Sequence, residues 1–285
     1  MHVGKRIQKM VCLGVLLAMA FLSLGPLVFL MGGSLMGSNE IADCIGPVIR
    51  GGDGYAVWRL FPMYPTLKHL VEVFFDSPEF FRMFWNSMKI TAGTLLGQFL
   101  VGMPSAWGLA HYSFPGKKAV YMLYIVLMMM PFQVTMLSEY LVLDMLGIMD
   151  TLWAIILPGV FSTFSVFIMY RFFGGIPDAV IEAARCDGAG EFQIFWRIGI
   201  PLGSSGIISA MVLQFLECWN LMEQPMTFLK TKSLWPLSLY LPQISMEKAG
   251  FALCASMVTL LPALLVFLAG SDYLEQGIVA AAVKE

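Results

Sequence analysis

The chain has 285 residues, of which 58% are hydrophobic and only 13% charged, against roughly 25% charged in an average soluble domain. With a mean hydropathy of +0.77 it reads as a polytopic membrane protein, and its net charge of −2 offers no basic footprint for nucleic acid. The cysteines (Cys12, Cys44, Cys186, Cys218, Cys254) are odd in number and scattered, so they read as small apolar fillers, and the three histidines (His2, His69, His111) stand too far apart in sequence for a metal cluster.

Six apolar runs are long enough to span a membrane, which needs roughly 20 residues each. They lie near 11–33, 85–112, 119–146, 151–175, 201–225 and 250–273, so the expected fold is all-α. The first follows Lys5, Arg6 and Lys9. It is too long for a signal-peptide core and is read as an uncleaved helix. An outer loop, 34–84, carries Gly51, Gly52, Gly54, Pro62 and Pro65, with short amphipathic helices expected near 66–75 and 78–84 and an interfacial aromatic belt at Phe80, Phe81, Phe84 and Trp85. A transmembrane core is placed at 85–285, after a first unit of N-terminal tail and first helix at 1–33. Pro26, Pro104, Pro131, Pro158 and Pro262 interrupt the spans, which leaves inherited kinks and flexing points as equal readings. A second outer loop, 226–249, contains Trp235, Pro236 and Pro242.

With a cytoplasmic N-terminus, the inner segments carry Lys5, Arg6, Lys9, Lys117, Lys118, Arg171, Arg185, Arg197 and Lys284. The outer ones carry Arg50, Arg59, Lys68, Arg82, Lys230, Lys232 and Lys248. This small excess puts both termini and the loop at 176–200 in the cytoplasm. No G-x-x-x-x-G-K-[ST] sequence occurs, so ATP-driven work needs another subunit, and no local signature of a hydrolytic triad is present. Lys89 can snorkel outward, and Glu139, Asp144 and Glu217 fall toward outer ends of their spans. Without acids at span centres, ion coupling is not expected.

The loop reads IEAARCDGAGEFQIFWRIGIPL from Ile181 to Leu202. Pro177 suits the first position of a helix, and Asp178 places negative charge at its positive end. Asp178, Glu182 and Arg185 share one face at i, i+4 and i+7, with Val180, Ala183 and Ala184 on a flat other side. Gly188 and Gly190 allow positive φ for the turn back to the membrane. A short helix lying on lipid is the plain alternative.

Glu182-Ala183-Ala184, then Gly188, then nine residues, then Ile198-x-Ile200-Pro201 resembles the coupling loop of ABC-importer permeases, with isoleucine for leucine at Ile200. From about Pro65 onward the chain is similar to the second permease of sugar importers of the maltose-transporter type. The landmarks are Asn86-Ser87, Phe114-Pro115-Gly116-Lys117-Lys118, Ile156-Leu157-Pro158, Phe172-Phe173, Ile176-Pro177, Trp219-Asn220 and Ala282-Val283-Lys284. Two departures are Leu221 for the usual aspartate and a terminal Glu285 for the usual glycine.

The resemblance implies a six-helix permease in a bacterial inner membrane. It implies a homologous second permease, two cytoplasmic ATPases that hold the ATP and magnesium, and an extracytoplasmic solute-binding protein; this chain itself would bind no cofactor. It assigns ATPase coupling to Glu182, Ala183, Ala184, Asp187, Gly188, Ile198 and Pro201. Gln133, Gln214, Trp219 and Asn220 are candidates for the substrate path, Trp219 stacking on a sugar ring and Asn220 bonding a hydroxyl. The bland readings are interfacial anchoring of Trp219 and interhelical hydrogen bonds for the amides. Rival functions are a permease for a non-sugar solute such as a polyamine, a stand-alone secondary carrier, and a membrane scaffold.

Overall fold

The computed structural model describes residues 2–49, 55–57, 59–240 and 248–282, with side chains for 9–48, 55–57, 59–240 and 248–275. Arg50, Gly51, Gly52, Gly54, Pro242 and the tail from Val283 lie outside the described residues, as do the side chains of Lys5 and Arg6. In chain order the helices are α1 (His2–Ser34), α2 (Ser38–Ile49), α3 (Lys68–Phe75), α4 (Pro78–Gly97), α5 (Met103–His111), α6 (Lys117–Met129) and α7 (Phe132–Met145). They continue with α8 (Trp153–Val160), α9 (Thr163–Phe173), α10 (Asp178–Cys186), α11 (Glu191–Ile194), α12 (Ile200–Leu202), α13 (Ser204–Trp219), α14 (Glu223–Phe228) and α15 (Ala249–Ala282).

Two compact units result. The first comprises Met1–Phe81 with Leu241–Leu261, the second Arg82–Tyr240 with Pro262–Glu285. In the first, the most apolar 18-residue stretch of the span Lys9–Ser34 in α1 is unburied, the pattern of a helix solvated by lipid; Gly33 and Ser34 at its end are buried. A small core gathers Met36, Ile41, Cys44 and Ala249. Glu40 Oε1 accepts the Met63 N–H at 2.7 Å, and His69, 2% exposed, lies 3.4 Å from Glu72 and from Ser38. The described residues of 34–84 thus carry side-chain contacts of their own. Helix α2 was not expected, and Pro78 opens the long α4 instead of a separate short helix.

In the second unit α5, α9 and α13 pack around Trp107, Met169, Phe173, Ile207 and Ala210. The small Gly97 permits α4 to meet α8, because a Cβ there would lie 2.1 Å from Val160; close approach of small residues is how helices associate where lipid removes the hydrophobic drive. The chain breaks between α8 and α9, and Gln98 Nε2 donates to the carbonyls of Gly159 (2.9 Å) and Ser162 (3.3 Å) at that break.

The expected count of six spans is not confirmed by length and composition. Lys9–Ser34, Trp153–Phe173 and Ala249–Glu275 are long and apolar enough singly, and two bent pairs raise the number to at most five among the described residues. The pair α6 and α7, expected as one span, turns by 109° at Pro131; the helix entering α13 from Glu191 bends by 74° at Gly203. The segment 78–111 is continuously helical but carries Arg82, Asn86 and Lys89, which lower its hydropathy.

Candidate functional site

Helix α10 starts one residue later than expected, with extended Pro177 as its N-cap and Asp178 as its first residue. Asp178 Oδ1 lies 3.5 Å from Nδ1 of buried His111, at the end of α5. Ile181 and Ala184 are buried in the core with Trp107, Phe173, Ile194 and Phe195. Ala179, Glu182, Ala183, Cys186 and Asp187 are exposed and fall at i, i+3, i+4, i+7 and i+8, one face of the helix.

This corrects the sequence reading: the two alanines do not share a face. Ala184 points inward while Ala183 and Val180 are exposed. Arg185 does not join Asp178 and Glu182 in a pair. Its Nε and Nη2 donate to Glu191 at 2.7 and 3.2 Å, and the Tyr112 hydroxyl donates to the same carboxylate at 2.9 Å. The Arg185 guanidinium and then Tyr112 hold the Glu191 carboxyl below the usual range, while desolvation and Glu191 push Tyr112 up.

The turn after α10 is a Schellman motif: the Ala189 N–H reaches the Ala184 carbonyl and the Gly188 N–H reaches that of Arg185, each at 3.0 Å. Gly188 takes φ +81°, whereas Gly190 is extended at φ −71° and needs no glycine. Ile198 is half-buried against the core and Pro201 is exposed. Both stand after the turn, Ile198 in a π-helical stretch Phe195–Gly199 and Pro201 in α12, and not on the exposed face of α10.

The second candidate site is a cavity of about 660 Å³ between α6, α7, α8, α9, α13 and α14. Gln214, 3% exposed, lines it; its Oε1 accepts from Ser165 at 2.7 Å and its Nε2 donates to Cys218 Sγ at 3.3 Å. The other three proposed path residues do not line it. Gln133 donates to Glu223 at 2.8 Å, Asn220 donates back to the Leu216 carbonyl at 2.9 Å, and buried Trp219 stacks on Phe215 and meets Phe84 edge-on. Sequence reasoning missed Glu139 and Glu217, placed toward outer span ends, both of which line the cavity. Helical spacing carried the signal. Thr135, Ser138, Glu139 and Val142 are one face of α7, and Gln214, Glu217 and Cys218 one face of α13, with Leu221 just beyond its end.

The family model for the inner membrane component of binding-protein-dependent transport systems matches residues 98–281. The chain belongs to this family. It is thus a multi-pass membrane component of a transport system. Among its relatives, the arabinooligosaccharides transport system permease protein AraQ of Halalkalibacterium halodurans is 26% identical, over 93% of this chain and 92% of AraQ. The lactose transport system permease protein LacG of Rhizobium radiobacter is 27% identical over 96% of each. A chain in the crystal structure of a bacterial ABC transporter involved in import of the acidic polysaccharide alginate superposes with a TM-score of 0.78. That match covers 95% of this chain and 97% of the other at 20% identity, a likeness of fold.

Proposed function

We propose that this permease forms half of the translocation path of an ATP-driven importer for a carbohydrate. A second, homologous permease completes the path, two cytoplasmic ATPases dock on the coupling loops and hold the ATP and magnesium, and an extracytoplasmic binding protein delivers the solute. Both termini then face the cytoplasm. The chain contributes no chemistry of its own. The observation that carries the reading is the exposed face of α10, with Glu182, Ala183 and Asp187 outward while Ile181 and Ala184 lock the same helix into the core. Such a helix presents a partner with a surface and passes displacement to α5, α9 and α13. The names of AraQ and LacG support a saccharide as cargo.

The test is affinity purification in gentle detergent from native cells, followed by reconstitution of the recovered complex with its binding protein in proteoliposomes. Recovery of an ATPase and a second permease, with ATP-dependent uptake of a labelled oligosaccharide, is expected. A chain recovered alone that moves solute without ATP would overturn the proposal in favour of a stand-alone carrier.

A further inference from the structure

Resting on the carbohydrate reading above, we infer that the cavity selects uncharged saccharides and rejects acidic ones, with Glu139 and Glu217 as the residues that set this specificity.

Its volume of about 660 Å³ lies within the range of roughly 300–1,000 Å³ typical of small-molecule sites. Phe132 and Phe161 supply apolar walls for the C–H faces of sugar rings, and Thr135 and Gln214 supply neutral polar groups. Among the described residues, the carboxylates in the lining are Glu139 and Glu217, and no Lys, Arg or His contributes.

Glu139 is half-engaged. Its Oε1 accepts from the Thr135 hydroxyl at 2.9 Å, while Oε2 is shielded from solvent without a hydrogen-bond partner in the protein. Hydrogen bonds from sugar hydroxyls to the carboxylates of the lining are among the stronger ones. A uronate or phosphate would instead bring like charge into a site of reduced dielectric, where repulsion is poorly screened and excludes wrong partners. A polyamine could neutralise the carboxylates; it offers donors only, and competition by spermidine separates it from a neutral sugar. The fold does not decide among these cargoes, because the superposable alginate importer moves an acidic polymer; the charge of the cavity does.

The experiment uses the intact importer in lipid nanodiscs without its binding protein, so that selection upstream does not intervene. Binding of tritiated arabinotriose is measured in competition with unlabelled arabinotriose, lactose, trigalacturonate and spermidine. The neutral sugars should displace the label, and trigalacturonate at about tenfold higher concentration should not. Glu139→Gln and Glu217→Gln, nearly isosteric changes, should each weaken arabinotriose binding by about tenfold, recovery of the intact complex serving as the folding control. Trigalacturonate competing as well as arabinotriose overturns the charge inference and leaves the carbohydrate reading standing. Unchanged sugar affinity in both variants overturns the assignment of the two carboxylates. Displacement by spermidine alone, or no saccharide binding at all, overturns both.

Discussion

Gly188 and Gly199 fail for different reasons when a methyl group is added. Around Gly188 there is open space, but φ is +81°, a region that costs an L-residue about 1–2 kcal/mol. Gly188→Val should therefore abolish most uptake while membrane abundance stays near normal, and Gly188→Asn, which tolerates that region, should retain transport. Uptake assays beside quantitative immunoblots check this. Asp150 is the non-glycine case, at φ 57°. Its Oδ1 accepts the N–H groups of Lys230 and Thr231 at 2.8 Å, and its Oδ2 accepts the Thr231 hydroxyl at 2.6 Å. The Thr231 hydroxyl and amide, with the Lys230 amide, hold the carboxyl below its ordinary value. A depressed native pKa stabilises the clamp above the unfolded value of about 3.9 and loses that contribution as pH falls through the lower native value. Hydrogen exchange at the Lys230 and Thr231 amides should accordingly show protection that is flat from neutral pH down to about 5 and decays only below about 3.9. Asp150→Ala should remove the protection at every pH.

Proline positions do not announce how a helix responds to them. Pro26 and Pro262 sit inside continuous helices, whereas the chain turns by 109° at Pro131. Pro104 and Pro201 each follow a π turn, in which Met103 N–H reaches the Gln98 carbonyl and Ile200 N–H that of Phe195, five residues back. Widening the helix just before a proline draws the chain away from the carbonyl its ring would strike. Nothing local distinguishes these outcomes, because backbone groups at a break are satisfied from elsewhere, as the Gly159 and Ser162 carbonyls are by Gln98 between α8 and α9. The apolar runs and the spacing from Glu182 to Pro201 are local patterns and could be read directly. The convergence of Glu139 on α7 with Glu217 on α13 is a tertiary fact, and each looked like a peripheral acid in sequence. The second π turn also brings Gly199 against Trp107, where a Cβ would stand 2.7 Å from the ring. Gly199→Ala should cost about 1–3 kcal/mol by overpacking, read as a lower unfolding temperature in detergent. Trp107→Phe in the same chain should recover part of that loss, a coupling expected only of residues in contact.

At the scale of the molecule, coupling requires that one helix be both a docking surface and a rigid part of the core. Helix α10 divides its residues accordingly, and the division predicts two separable kinds of failure. Glu182→Arg and Ala183→Asp alter the exposed face without touching the core. They should leave membrane abundance and the unfolding temperature near wild-type while abolishing solute-stimulated ATP hydrolysis by the assembled importer. Ala184→Asp buries a carboxylate among Trp107, Phe173 and Phe195, where an unpaired charge is expensive. It should lower abundance and thermal stability, taking transport with it. Arg185→Ala, which frees Glu191 from its guanidinium partner, loses an exposed ion pair of small static worth. It should keep the fold yet loosen the link between α10 and the helix that follows, so that ATP hydrolysis persists with less uptake per ATP. Measuring abundance, unfolding temperature, ATPase rate and uptake on the four variants separates the classes. If Glu182→Arg retained full solute-stimulated hydrolysis, the exposed face of α10 would not be the ATPase contact. If Ala184→Asp were as stable as the parent, the inward face would not anchor the loop.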